Sequence, residues 1–202
     1  MISVIDYGAG NIESVIKAFR YIGSDACLTK DPAQIAAADA VVLPGVGAFG
    51  DAMGALRESG LIPLILDALN SGKPFLGICL GLQLLFEESE EAPGVPGLGV
   101  LPGKIVRIPA GEGLKIPHIG WNSLTIRQEG TLFRSLGAEP YVYFVHSYYL
   151  QAQNRADVTA TAEYGVSIDA AVQKKNLCAV QFHPEKSGET GLQMLRNFAE
   201  ME

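Results

Sequence analysis

The sequence predicts an α/β protein with a mainly parallel central sheet, flanking helices and additional antiparallel strands. Two observations predict it. As far as residue 78, short apolar runs alternate with amphipathic runs of helical period, the βα rhythm that builds a parallel sheet covered on both faces. After residue 91 the chain turns to Pro- and Gly-rich stretches and short alternating runs, the texture of hairpins added to such a core. The 202 residues are 48% hydrophobic and 18% charged, which suits one domain over 1–202 with a sizeable core and argues against disorder.

The elements follow in order. Residues 2–7 read as the first strand, with none of the basic start of a signal peptide. Asn11 can cap a helix whose apolar face is Ile12, Val15, Ile16, Phe19 and Ile22. A second strand spans 26–30, and Asp31-Pro32 supplies a cap followed by proline at the first helical position. A buried strand at 40–43 precedes helical segments at 49–58 and 62–70, and strand 74–78 leads into an amphipathic run at 80–88. A loop at 92–103 is followed by strand candidates at 104–108, 121–126, 141–150, 159–163, 168–174 and 177–182. The last helix, 188–201, buries Leu192, Leu195 and Phe198.

Bulk properties exclude several functions. A formal net charge of −7 without a basic tract argues against nucleic acid. The longest apolar stretch, 61–69, contains Pro63 and Asp67 and is too short to cross a bilayer. Three cysteines, Cys27, Cys79 and Cys178, with no signal peptide suggest reduced thiols in the cytoplasm. No Cys or His pair has zinc-ligand spacing, so no metal and no cofactor is expected.

The chemistry concentrates at Gly77-Ile78-Cys79-Leu80-Gly81. A cysteine between a strand and a helix, with glycines on both sides, has the pattern of a nucleophile elbow. The glycines admit a bend that a Cβ would obstruct, and the helix start favours thiolate, the reactive form. Ligands of such sheets bind beyond the carboxyl ends of the strands, where this turn lies. Cys27 and Cys178 read as small core residues. Of three histidines, His183 stands out, because Pro184 holds it extended and Glu185 follows. If the extended geometry continues, His183 and Glu185 point to the same side. The imidazole then serves as base and acid for the thiol, and the carboxylate orients it. His118 and His146 read as structural or substrate-adjacent. Backbone donors for an oxyanion are expected from Leu80 and from the glycine-rich Pro44-Gly45-Val46-Gly47, chiefly Val46 and Gly47.

Gly77-Ile78-Cys79-Leu80-Gly81-Leu82-Gln83 with His183-Pro184-Glu185 resembles the class I (triad) glutamine amidotransferases, over essentially the whole chain. Asp6-Tyr7-Gly8-Ala9-Gly10-Asn11, Gly120-Trp121-Asn122 and Tyr143 through Tyr149 resemble the branch that feeds histidine biosynthesis. The resemblance implies a flavodoxin-like core and a Cys79–His183–Glu185 triad that hydrolyses glutamine through a thioester. It also implies glutamine contacts from Gln83, Ser147 and Tyr148. The ammonia would pass to the cyclase subunit of imidazole glycerol phosphate synthase, a (β/α)₈ barrel that makes imidazole glycerol phosphate and AICAR. Asn11, Trp121 and Lys186 match positions on the face that meets this barrel. By residue type alone, Gln83 is equally an exposed polar residue, Trp121 a core residue and Lys186 a solvated charge. Three rivals stand beside this reading: the glutaminase of pyridoxal phosphate synthase, an idle regulatory subunit, and an ester or peptide hydrolase on the same sheet.

Overall fold

A computed structural model describes residues 1–10, 12–128 and 130–201. The expected cap at Asn11 lies outside the described residues.

The first half folds as expected. Strands β1 (Ile2–Ile5), β2 (Ala26–Thr29), β3 (Ala40–Leu43) and β4 (Phe75–Ile78) alternate with helices α1 (Ile12–Tyr21), α2 (Pro32–Ala37), α3 (Phe49–Ser59) and α4 (Ile62–Asn70). Asp31 caps α2 by accepting from the Ala33 N–H at 2.9 Å, and Pro32 stands at the first helical position, where its missing N–H costs nothing. After β4 come α5 (Leu80–Leu84), β5 (Glu88–Ser89), β6 (Gly103–Arg107), β7 (His118–Ser123) and β8 (Thr125–Ile126). The chain closes with β9 (Tyr141–His146), β10 (Tyr148–Ala152), β11 (Val158–Glu163), β12 (Ser167–Lys174), β13 (Leu177–Val180) and α6 (Gly188–Ala199).

The main sheet runs β2-β1-β3-β4-β13-β12-β10-β6-β5, with β11 paired to β12 and β8 to β11. From β2 to β13 every pairing is parallel. The strands from β13 through β12 and β10 to β6 pair antiparallel. Side chains of β1 alternate between two cores, as the two-residue period requires. Ile2 and Val4 pack with α1 and α6, while Ile5 packs with α2, α3 and α4. Phe19 of α1 meets Phe198 of α6 with ring centroids 6.1 Å apart. In α6, Leu195 and Phe198 are buried as expected, and Leu192 is half-buried against the same core.

Three expectations change. The amphipathic helix foreseen over 80–88 is the five-residue α5, and its residues are buried all round. It packs under the 97–101 loop, with Leu98 N–H bonded to Leu84 O at 2.8 Å, so no polar face is needed. The strand expected at 121–126 begins at His118 and breaks at the buried Leu124. Its pattern misleads because the apolar Ile119 and Trp121 face outward while His118 is buried. The single strand expected at 141–150 breaks at Ser147: β9 pairs with β7 in a separate two-stranded ribbon, and β10 joins the main sheet.

Candidate active site

The elbow is built by strain at one residue and close packing at two. Cys79 has φ 54° and ψ −108°, a positive-φ conformation uncommon for a residue with a Cβ. The flanking glycines do not carry the bend; they clear the space around it. A Cβ on Gly81 would lie 1.9 Å from the Leu43 carbonyl oxygen, and one on Gly77 would lie 2.9 Å from Leu85 Cδ1. The turn is pinned by the Cys79 N–H donating to Val180 O at 2.8 Å. Because α5 has only five residues, its dipole is that of little more than one turn. The buried imidazole of His183 is the larger positive partner for the sulfur.

Parallel pairing of Ile78 with Val180 brings the carboxyl ends of β4 and β13 side by side. The chain beyond β13 then carries His183 to Cys79. His183 is extended, at φ −105° and ψ 96°, as Pro184 requires, but Pro184–Lys186 turns into a 3₁₀ helix. The contact between His183 and Glu185 therefore does not come from continued extension. The turn folds Glu185 back, and His183 Nδ1–H donates to its Oε1 at 2.7 Å, with both side chains at most 2% exposed. His183 is anchored on both sides of its backbone: its N–H donates to Tyr143 O at 2.9 Å, and its carbonyl accepts from Ser187 Oγ at 2.6 Å. Burial pulls its pKa down, but hydrogen bonds and charges from Cys79 and Glu185 outweigh this and push it up to about 10. The imidazole is therefore held protonated beside the Cys79 sulfur and the Glu185 carboxylate.

A cleft of about 420 Å³ opens over Cys79 and His183, within the size range of small-molecule sites. Its walls bring together the expected residues Val46, Gly47, Leu80, Gln83, Ser147 and Tyr148, and Lys186 also borders it. Gln83 is not an exposed polar residue; it is buried and donates through Nε2 to Tyr148 O at 3.1 Å. The two remaining histidines lie next to the cleft. His146 Nδ1–H donates to Tyr148 O at 2.9 Å, so its bare Nε2 accepts from His118 Nδ1 at 3.0 Å. Burial drives both pKa values to about 4, which makes them a neutral pair beside the site. Trp121 is 57% exposed on the outer face of the β7–β9 ribbon with Ile119 and Tyr141, which rules out the core alternative for it. Asn11 lies outside the described residues.

The expected oxyanion donor at Leu80 is occupied. Its N–H donates to the Gly45 carbonyl at 3.3 Å. Gly45 can approach only because it lacks a Cβ, which would fall 2.4 Å from Tyr7 Oη and 3.0 Å from Leu80 Cβ. Tyr7, buried beneath this loop, donates its hydroxyl to Pro44 O at 2.9 Å.

Three residues of the site were not foreseen. Glu91 borders the cleft and accepts from the Phe49 N–H at 2.8 Å, capping α3 where the glycine-rich loop ends. Tyr7 reads from the sequence as the end of the first strand and part of the Asp6–Asn11 stretch, with no role at the site. Gln181, buried beside Cys79, gave one signal, a glutamine directly after the four apolar residues of β13.

A strained cysteine elbow on a parallel sheet, with a buried imidazole–carboxylate pair beside it, defines an enzyme of nucleophilic acyl transfer. Residues 3–201 match the family model for glutamine amidotransferase class-I, and the chain belongs to that family. It is 55% identical over 202 residues to the imidazole glycerol phosphate synthase subunit HisH of Methanothermobacter thermautotrophicus, covering 100% of this chain and 98% of that protein. It is 51% identical over 206 residues to the protein of the same name in Syntrophotalea carbinolica, with complete coverage of both, 100% and 100%. A solved glutamine amidotransferase shares the fold at TM-score 0.76 and 20% identity over 99% of both chains. The PurLQS structure from Thermotoga maritima does so at TM-score 0.76 and 21% identity, covering 98% of this chain and 96% of that one.

Proposed function

We propose that the chain is the glutaminase subunit of imidazole glycerol phosphate synthase, with Cys79, His183 and Glu185 as its catalytic triad. The observation that carries the reading is the buried 2.7 Å His183–Glu185 pair set beside the strained Cys79 elbow. Relatives about 50% identical over their whole length carry the name of this subunit, which favours it over the pyridoxal phosphate pathway.

The chemistry follows from the geometry. Sγ of Cys79 attacks the side-chain carbonyl carbon of glutamine, and the carbonyl electron pair moves to oxygen. His183 gives its proton to the amide nitrogen, the C–N bond breaks, and ammonia leaves a thioester. Water then attacks the thioester, giving its proton to His183. The C–S bond breaks, and glutamate and the free sulfur return. Ser147, Tyr148 and Gln83 position the glutamine backbone, and the Glu91 carboxylate suits its ammonium group. The oxyanion of each tetrahedral intermediate needs donors. Turning the Gly45–Val46 peptide would remove the Gly45 oxygen from the Leu80 N–H and point the Val46 N–H inward. Docking of a partner near this loop would then switch the glutaminase on.

The partner is the cyclase, a (β/α)₈ barrel, which receives the ammonia. Trp121 and Lys186 belong to the docking face, and the exposed Ile119, Trp121 and Tyr141 supply its apolar centre. No helix among the described residues is long and apolar enough to cross a membrane; a cytoplasmic place is the expectation that goes with this pathway.

The test is glutamate release from glutamine with and without the cyclase and its nucleotide ligand. Activity should rise on addition of both and vanish in Cys79→Ala. A Cys79→Ala complex that still releases glutamate overturns the assignment.

A further inference from the structure

The β4–β13 register that brings His183 to the nucleophile also sets a second side chain against it. Cys79 follows Ile78 and Gln181 follows its parallel partner Val180, so the two stand level at the end of the sheet. Gln181 is fully buried, at 0% exposure, and its Nε2 lies 3.7 Å from Cys79 Sγ. A primary amide buried there costs stability unless both its ends are bonded. An apolar side chain of similar volume would fill the space without that cost.

The orientation of this amide is settled by its neighbours. The Tyr148 carbonyl can only accept, so the Gln83 atom 3.1 Å from it is the nitrogen. That same nitrogen lies 3.0 Å from Gln181, where it needs an acceptor, so Gln181 presents its oxygen to Gln83. Its nitrogen is left facing the sulfur. His146 Nδ1–H takes the other lone pair of the Tyr148 carbonyl, which holds the start of this chain of bonds in place.

We propose that Gln181 is a catalytic residue whose side-chain N–H donates to Cys79 Sγ and stabilises its anionic form; this rests on the glutaminase reading for the substrate but not for the thiolate. His183 helps by charge, and Gln181 helps as a neutral donor that adds no competing acid. The bond weakens when the sulfur is acylated, because thioester sulfur is a poor acceptor. It re-forms as the thioester hydrolyses: the C–S bond breaks, the electron pair goes to sulfur, and the Gln181 N–H meets the developing anion. Gln181 therefore assists departure of the enzyme's own leaving group.

The test is the pH dependence of Cys79 alkylation by iodoacetamide, read by peptide mass spectrometry on the full chain, alone and with the cyclase. Gln181→Met keeps the volume and removes the donor. Gln181→Glu keeps the shape and turns an oxygen toward the sulfur. In Gln181→Met the rising limb for Cys79 should move to higher pH while the Cys27 profile stays in place. In the complex kcat for glutamine should fall while KM stays within about twofold. Gln181→Glu should move the limb further in the same direction, and it keeps the proposal testable if the methionine variant does not fold. A limb that superimposes on the parent in a folded variant overturns the role of Gln181. A parent Cys79 that reacts no faster than Cys27 overturns instead the nucleophile assignment.

Discussion

Glu185→Gln is the sharpest perturbation of the proposed triad because it keeps the side-chain shape and removes only the charge. The His183–Glu185 bond is 2.7 Å long, and neither side chain is more than 2% exposed, so water cannot substitute for the carboxylate. A charge-assisted hydrogen bond of this kind contributes about 1.5–3 kcal/mol. The full value applies while His183 carries a proton on each nitrogen, the state that gives one to the departing amide. A loss of that size corresponds to a kcat lower by roughly 10- to 200-fold. The assay is glutamate release at saturating glutamine in the complex with cyclase and its ligand, followed from pH 6 to pH 10. A second signature separates the charge from any packing defect. Glu185 is one of the groups that hold the His183 pKa up at about 10, so its loss should shift the alkaline limb of the activity profile to lower pH. A kcat within about twofold of the parent, with an unmoved alkaline limb, would refute the assignment of Glu185 as the charged orienter of His183.

Other consequences follow from the same geometry. Gly81→Ala places a Cβ 1.9 Å from Leu43 O, a backbone atom that cannot step aside, so the variant should lose about 3 kcal/mol or more. An unchanged denaturation midpoint would sink that reasoning. Tyr7→Phe leaves the Pro44 carbonyl without its 2.9 Å donor and should lower Tm by roughly 2–8 °C, a loss of about 1–2 kcal/mol. Calorimetry decides it, and an unshifted Tm counts against the anchor. The folded pKa of His183, about 10, exceeds its ordinary value of 6.5, so the stability it contributes is complete below about 6.5 and disappears as pH rises through 10. Denaturant midpoints should therefore fall across that window, and fall less in Glu185→Gln.

The proposed catalytic residues were legible because each sits in a local pattern with a physical reason. Cys79 lies between two glycines at a strand end, and His183 is held extended by Pro184. The mode of contact between His183 and Glu185 was not legible, since a 3₁₀ turn and an extended strand both bring residues two apart together. Ser147 looked like the middle of a strand because the change of sheet there depends on β7, twenty-odd residues earlier in the chain. Trp121 could not be placed from its type, because an aromatic on a strand fits a core and a docking face equally well.

The sequence by itself determined the α/β core and its βα order and pointed to the three residues proposed as the triad, because periodicity, caps and strand-end motifs are local and act within a few residues. The tertiary structure alone decided the rest of the site. Parallel register between β4 and β13, a pairing over about a hundred residues of chain, sets Gln181 level with Cys79. The approach of Gly45 to Leu80 decides whether an oxyanion donor is available, and it depends on the buried Tyr7 from the first βα turn. Such contacts join residues distant in the chain, and only packing of the whole sheet brings them within hydrogen-bond reach.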